Sequence, residues 1–307
     1  MAKGTDLIVT PRRVVGAIVL ATLILVVLLT EGSALGSRGA APSAIWRPKP
    51  GTTWQWQITG RITTILPVAM YDVDLFDAVP AATTLRSSLG RAAVPRGDNA
   101  GIVSRLHARR IRVICYLDTG AWESYRPDAR LFPRAVIGSQ TYASTGAPWT
   151  GEHWLDIRLR SRARFEPLIV ARLRLAKRIG CDGVEPDQNN PIGNKPGFPI
   201  TLANQTAWYL EIAHQAHLLG LSVGMKNGIE STNASTVKAF DWNLNEECNL
   251  YEECGVLRAF TRAGKAVFQV EYVEDGMTTQ RFCRADRAAG FSGLLKRLEL
   301  GTWRESC

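Results

Sequence analysis

Two carboxylates, Glu185 and Asp187, stand two residues apart in the stretch Gly180-Cys181-Asp182-Gly183-Val184-Glu185-Pro186-Asp187-Gln188-Asn189-Asn190. The stretch follows a segment of helical spacing, Phe165 to Ile179, and reads as a short strand running into a polar loop. Alternate residues of a strand share a face, so Gly183, Glu185 and Asp187 point one way. Like charges held close together raise a pKa, which suits proton transfer and is costly to keep without a purpose. A solvated acidic turn is the competing account of any one such motif. Repetition argues against it here. Asp72 and Asp74, Asp118, Glu246 and Glu247, and Glu271 also fall at or just past the ends of strand-like runs. Lys226, Asn227, Asn245, Gln188 and Asn189 lie beside them, with the aromatics Trp56, Tyr71, Trp122 and Tyr272. Carboxylates, amides and aromatics together suit a carbohydrate: two acids do the proton and nucleophile work, amides bond hydroxyls, and ring faces pack on sugar rings. Singly, each residue has a plainer role: Trp56 as core, Asp72 as a helix cap, Lys226 as a counter-charge to Glu185.

The elements that must position these residues recur with a rhythm. Strand-like runs occupy Trp54–Ile58, Val68–Asp74, Arg112–Leu117, Gly183–Pro186, Leu221–Lys226, Phe240–Asn245, Lys265–Tyr272 and Ser292–Lys296, with Trp154–Ile157 a further strand or loop segment. Helical spacing fills Ile102–Arg110, Arg162–Ile179, Gln205–Leu219 and Tyr251–Ala263 between them. Strands alternating with helices predict a parallel sheet with helical crossovers. The expected fold class is α/β, a single-domain (β/α)8 TIM barrel over 51–307, whose chemistry would collect at the C-terminal strand ends. A doubly wound open sheet is the second choice, but Thr59-Gly60-Arg61 lacks the Gly-rich phosphate turn it would need.

The chain has 307 residues, 46% of them hydrophobic, and a formal net charge of +9. Setting aside the first ~50 residues leaves about 257, enough for one large core. The positive charge is spread over helical faces, with no basic run interleaved with aromatics, so no nucleic-acid partner is expected. Lys3, Arg12 and Arg13 precede the apolar run Val14–Leu29 and the small-residue region Gly32–Ser37. That is the pattern of a signal peptide, or of a single-pass anchor, over 1–37. A linker over 38–50 would follow. The rest would be exported, touching a membrane only through an uncleaved N-terminal segment. Six cysteines in an exported chain suggest disulfides. Cys248 and Cys254 bracket a short loop, Cys283 and Cys307 would tie down the C-terminus, and Cys115 and Cys181 remain; sequence alone permits fifteen pairings. No two cysteines are separated by a gap of two residues, and His107, His153, His214 and His217 do not cluster with them, so no metal and no organic cofactor is expected. A monomer is expected.

The motifs Trp54-Gln-Trp-Gln57, Tyr71-Asp-Val-Asp-Leu-Phe-Asp77, Val113-Ile-Cys-Tyr-Leu-Asp-Thr-Gly120, Gly180-Cys-Asp-Gly-Val-Glu-Pro-Asp187, Gly224-Met-Lys-Asn227, Asn245-Glu-Glu-Cys248 and Phe268-Gln-Val-Glu-Tyr272 resemble glycoside hydrolase family 114, the endo-α-1,4-polygalactosaminidases. The resemblance runs from about Thr53 to Cys307. It implies a (β/α)8 barrel acting on α-1,4 linkages of an exopolysaccharide that contains galactosamine or N-acetylgalactosamine. It places the catalytic acids at Asp187 and Glu246. Trp56, Tyr71, Asp72, Asp118, Glu185, Gln188, Lys226, Asn227, Asn245, Glu247, Glu271 and Tyr272 are expected to contact substrate. Where the family often carries another acid soon after its Pro-Asp, this chain has the neutral Gln188-Asn189-Asn190. Two alternatives stand beside hydrolysis by an acid pair. One is a glycan-binding barrel without catalysis, and the other is a metal-dependent hydrolase on the same fold.

Overall fold

A computed structural model describes residues 44–307. The expected export segment, 1–37, and the first part of the linker, 38–50, lie outside the described residues. Eight parallel strands appear in chain order: β1 (Trp54–Trp56), β2 (Met70–Asp74), β3 (Arg112–Asp118), β4 (Gly183–Asp187), β5 (Ser222–Lys226), β6 (Trp242–Glu246), β7 (Val267–Tyr272) and β8 (Ser292–Lys296). A short β9 (Glu305–Ser306) adds antiparallel to β8. Each strand pairs with the next in sequence, giving one nine-stranded sheet. The sheet curls, so that the indole Nε1 of Trp54 on β1 donates to the Ser292 carbonyl on β8 at 2.9 Å. All eight expected runs form strands, trimmed or extended by a residue or two at most ends. β1 stops at Trp56 because the Ile58 amide turns away to the Leu300 carbonyl.

Helices α1 (Ile102–His107), α2 (Leu159–Arg162), α3 (Glu166–Ile179), α4 (Leu202–Leu218), α5 (Ala234–Ala239), α6 (Arg258–Arg262) and α7 (Thr279–Ala289) link the strands. The expected helix from Arg162 is interrupted before α3, whose first turn carries Pro167, a residue suited to a helix start. The expected helix Tyr251–Ala263 shrinks to α6. The Cys248–Cys254 disulfide and the left-handed Glu252 (φ 58°) hold the chain in a tight turn where that helix would begin.

Two insertions carry no rhythm in the sequence. A hairpin pairs Thr83–Ser87 with Gly90–Val94. Between β3 and α2 a small antiparallel sheet forms from Ala121–Glu123, Ile137–Tyr142 and Pro148–Leu155, the last strand in the middle. The Trp154–Ile157 segment falls at the end of that middle strand.

The two-residue period of the strands sorts their side chains. The outer face packs under the helices through residues such as Val73, Val113, Leu117, Val184, Val223 and Met225. The inner face starts apolar, with Trp54, Met70, Ile114, Trp242, Phe268 and Leu294 in one buried cluster. Trp242 fits only because Gly224 has no side chain: a Cβ there would lie 2.2 Å from the indole. Emptying the Trp242 position to alanine would cost about 3–5 kcal/mol. Toward the C-terminal strand ends the same face turns polar. Three disulfides, Cys115–Cys181, Cys248–Cys254 and Cys283–Cys307, accompany the fold.

Candidate active site

Lys226, at the end of β5 and 1% exposed, is the hub of the polar inner face. Its ammonium lies 2.7 Å from Glu185 Oε1, 3.2 Å from Asp187 Oδ1 and 3.3 Å from Glu246 Oε2. It also sits 4.6 Å from the centre of the Trp56 ring. Burial disfavours the ammonium, but the three carboxylates outweigh that and hold its pKa well above the ordinary lysine value.

Each carboxylate has its own donors. Glu185 accepts from Trp56 Nε1 at 3.0 Å, and burial pushes its carboxyl up to about 7 despite the opposing Lys226. Beneath it Asp72 is fully buried, and among the described residues neither of its oxygens has a hydrogen-bond partner. Burial and the neighbouring Glu185 charge raise Asp72 well above the usual carboxylate range, with Lys226 opposing them. Asp187 accepts from Tyr116 OH at 3.2 Å and from the Gln188 amide at 2.7 Å. Glu246 accepts from Asn227 Nδ2 at 2.9 Å and from the Tyr272 hydroxyl. Burial would raise Glu246, yet Lys226, Tyr272 and Asn227 together bring it below its ordinary value.

The backbone turns sharply just after these groups. Gln188 (φ 58°), Asn227 (φ 49°) and Glu247 (φ 66°) are left-handed, each one residue past the end of β4, β5 or β6. The β3 and β4 loops are locked together. Thr119 and Gly120 amides both donate to the Asp187 carbonyl at 3.1 Å, and a Cβ on Gly120 would fall 1.8 Å from the Gln188 carbonyl oxygen.

A second acidic group lies beside the first. Asp118, Glu123 and Glu152 bring one oxygen each within 4.8 Å of one another, all buried. These are the residues that could hold a cation. Two guanidiniums already serve them: Arg126 Nε meets Glu123 at 2.6 Å and Arg172 approaches it at 3.5 Å. Burial and the nearby acids raise Asp118 well above the carboxylate range, and burial brings Glu152 to about 8 against its Thr141 hydrogen bond.

The cleft over these groups has two lobes. One, about 410 Å³, is bounded by loops after β4, β5 and β6, including Asn190, Asn227, Glu230 and Tyr251. The other, about 580 Å³, is bounded by Trp56, Asp74, Tyr116, Tyr125, Arg126 and Glu152. Asp187, Gln188, Glu246, Tyr272, Trp149 and Leu298 line both.

Of the residues expected at the site, Trp56, Asp72, Glu185, Asp187, Gln188, Lys226, Asn227, Glu246 and Tyr272 come together. Trp56 is fully buried, beneath Lys226 rather than open as a sugar platform. Asn245 stands behind Asn227, Asp118 lies in the second acidic group, and Glu247 is on the rim beside Ser144 and Asp275. Tyr71 and Glu271 do not join them. Both occupy outer-face positions, where Tyr71 OH accepts from the Leu66 amide and Glu271 accepts from the Asn249 amide. Trp122 is likewise turned away, its Nε1 donating to the Ala129 carbonyl. Sequence reasoning passed over Tyr116, Glu123, Arg126, Trp149 and Glu152. Tyr116 shares the inner face with Asp118 and follows from alternation; the other four belong to loops and the inserted sheet, where no period marks them.

The profile described as glycoside-hydrolase family GH114 matches residues 37–307. No curated protein matches the chain. Among solved structures, Ega3 of Aspergillus fumigatus in complex with galactosamine superimposes with a TM-score of 0.72 at 29% identity, over 88% of this chain and 100% of that one. The glycoside hydrolase domain of PelA from Pseudomonas aeruginosa superimposes with a TM-score of 0.56 at 12% identity, over 87% of this chain and 99% of that one, a likeness of fold. This chain therefore belongs to glycoside hydrolase family GH114, and it is a polygalactosaminidase-like glycoside hydrolase.

Proposed function

We propose that the chain is an exported hydrolase that cleaves α-1,4 linkages in a galactosamine-containing exopolysaccharide, with Asp187 as nucleophile and Glu246 as general acid and base. The observation that carries this is the shared contact with Lys226. Asp187 Oδ1 and Glu246 Oε2 stand 3.2 and 3.3 Å from one Nζ, so they can be no more than 6.5 Å apart, the sum of the two. Carboxyls separated by about 5 Å form a covalent glycosyl intermediate, and those at about 6.5–9.5 Å leave room for water. The short span favours retention of configuration. The curled strand order and the Trp54–Ser292 hydrogen bond support a closed (β/α)8 barrel, with the pair at its C-terminal mouth. Three disulfides suit an oxidising, extracellular setting. The relative solved with galactosamine supports the substrate class.

In the first step Asp187 attacks the anomeric carbon while Glu246 gives its proton to the leaving oxygen. In the second, Glu246 takes a proton from water, which releases the sugar from Asp187. Glu246 is held low chiefly by Lys226. Its protonation accompanies substrate binding, when sugar hydroxyls compete for that ammonium. Asp187→Asn and Glu246→Gln should each abolish the release of new reducing ends from an α-1,4-galactosamine polymer, in folded protein. Full activity in both would refute the assignment. Binding without any new reducing ends in the unaltered protein would favour a glycan-binding role instead.

A further inference from the structure

The hairpin Ile137–Leu155, part of the inserted sheet, starts from the β3 side of the sheet and reaches the opposite one. Its tip closes through Ala143 and Ala147, and Ser144 Oγ meets the Asp275 carboxylate at 3.2 and 3.3 Å. Asp275 follows β7, four strands along from β3 in the sheet order. Glu247, past the end of β6, lies beside the same contact. The hairpin stem is fixed near the carboxylates by Gln188 Nε2, which donates to Glu152 at 2.9 Å. The hairpin thus crosses the cleft mouth as a strap. The lobe bounded by the β4, β5 and β6 loops lies on one side, and the lobe bounded by the ends of β1, β2 and β3 lies on the other. The lobes share Asp187 and Glu246 below and Trp149 of the strap above. Trp149 is 37% exposed and Tyr142, on the paired strand, 62%, so the strap offers aromatic faces to the cleft.

We propose that the polysaccharide passes beneath this strap as a single extended chain, with sugars in both lobes and Trp149 covering the bond to be cut. This rests on the hydrolase function proposed above and narrows its substrate to linear chains without bulky branches. A closed strap admits only chain ends; internal sites require the Ser144–Asp275 contact to open. Once closed, the strap keeps the chain on the enzyme between cuts.

The test uses Ser144→Cys with Asp275→Cys in a Glu246→Gln background, joined by a short cleavable bis-methanethiosulfonate reagent, with Ser144→Cys alone as control. The ligand is an α-1,4-galactosamine polymer fixed within a gel. Crosslinking after the protein has bound should hold it on the gel through a high-salt wash, and cleaving the link should release it. Crosslinking beforehand should lower capture by about tenfold, because restricting a gating segment restricts access to the site. Equal elution whichever step comes first would overturn threading while leaving the hydrolase function intact. Failure of the uncrosslinked protein to bind the gel would refute the substrate class, and the strap proposal with it. In active protein, Trp149→Ala with normal circular dichroism should give longer early products than the unaltered chain. An unchanged early product length would also overturn the proposal.

Discussion

Replacing Lys226 with methionine removes the ammonium in contact with Glu185, Asp187 and Glu246. Methionine keeps most of the buried volume, so the main change is charge. A unit charge at ~4 Å and an effective dielectric constant near 20 interacts by about 4 kcal/mol. An adjacent cation lowers a carboxyl pKa by about 1–3 units. Glu246, held low chiefly by Lys226, should therefore rise once that cation is gone. As the proposed general acid it then stays protonated to higher pH, so the alkaline limb of kcat/KM moves upward, while the rate falls because Asp187 loses a partner. Stability should drop by about 3–5 kcal/mol, the cost of stripping one partner from a buried ion pair. That loss has a pH dependence whose sign is fixed. Without Lys226, the folded-state pKa of Glu185 climbs from about 7 still further above its unfolded value. The variant is penalised for every carboxylate that must ionise in place, so its deficit grows as pH rises through neutrality and shrinks under acid conditions. Urea denaturation at mildly acidic and mildly alkaline pH, with pH profiles of kcat/KM on galactosamine oligomers, measures both effects. A deficit equal at the two pH values, or an alkaline limb that does not move in folded protein, would refute the account of Lys226 as the electrostatic hub.

In the unaltered protein the alkaline limb of kcat should lie above that of kcat/KM, because the first reports the bound complex and the second the free enzyme; coincident limbs would mean that Glu246 gains no proton affinity on binding. Acidic groups around the cleft predict that turnover of deacetylated, cationic polymer falls as salt rises, with screening over about 8 Å at physiological ionic strength; an equal salt response on fully acetylated polymer would count against this. Replacing Cys115 and Cys181 with serine opens a loop of 66 residues and should cost about 4 kcal/mol, seen as a lower urea midpoint; an unchanged midpoint would show that the bridge adds nothing.

Much of this architecture could be read from the chain because its strands are short apolar runs that end in polar residues. Val113 to Asp118 and Gly183 to Asp187 show why: alternation sends one set under the helices and leaves the other to carry charge. The same alternation sorts neighbouring residues. If Asp72 faces inward then Tyr71 cannot, and if Tyr272 faces inward then Glu271 cannot. The inserted sheet was not legible because Gly138-Ser-Gln-Thr-Tyr-Ala-Ser-Thr-Gly146 has no apolar period to announce a strand. Its strands exist through pairing with each other and with the body of the fold. Glu123 and Glu152 reach the site through that pairing, 29 positions apart in sequence and opposite each other in register. The shortening of the helix before Ala263 likewise depends on a disulfide whose partner choice no local propensity states.

The three left-handed residues at the ends of β4, β5 and β6 have a consequence for how this enzyme can be improved. Gln188, Asn227 and Glu247 adopt a backbone that side-chain-bearing residues seldom choose, at a cost on the order of 1–3 kcal/mol each. Glycine would relieve that cost at any of the three, and a search for heat-resistant variants would find it. Yet Asn227 and Gln188 use their side chains to hold Glu246 and Glu152, and glycine has none to offer. Durability and turnover are thus set against each other at the same positions, so selection for one alone would carry the chain away from the other.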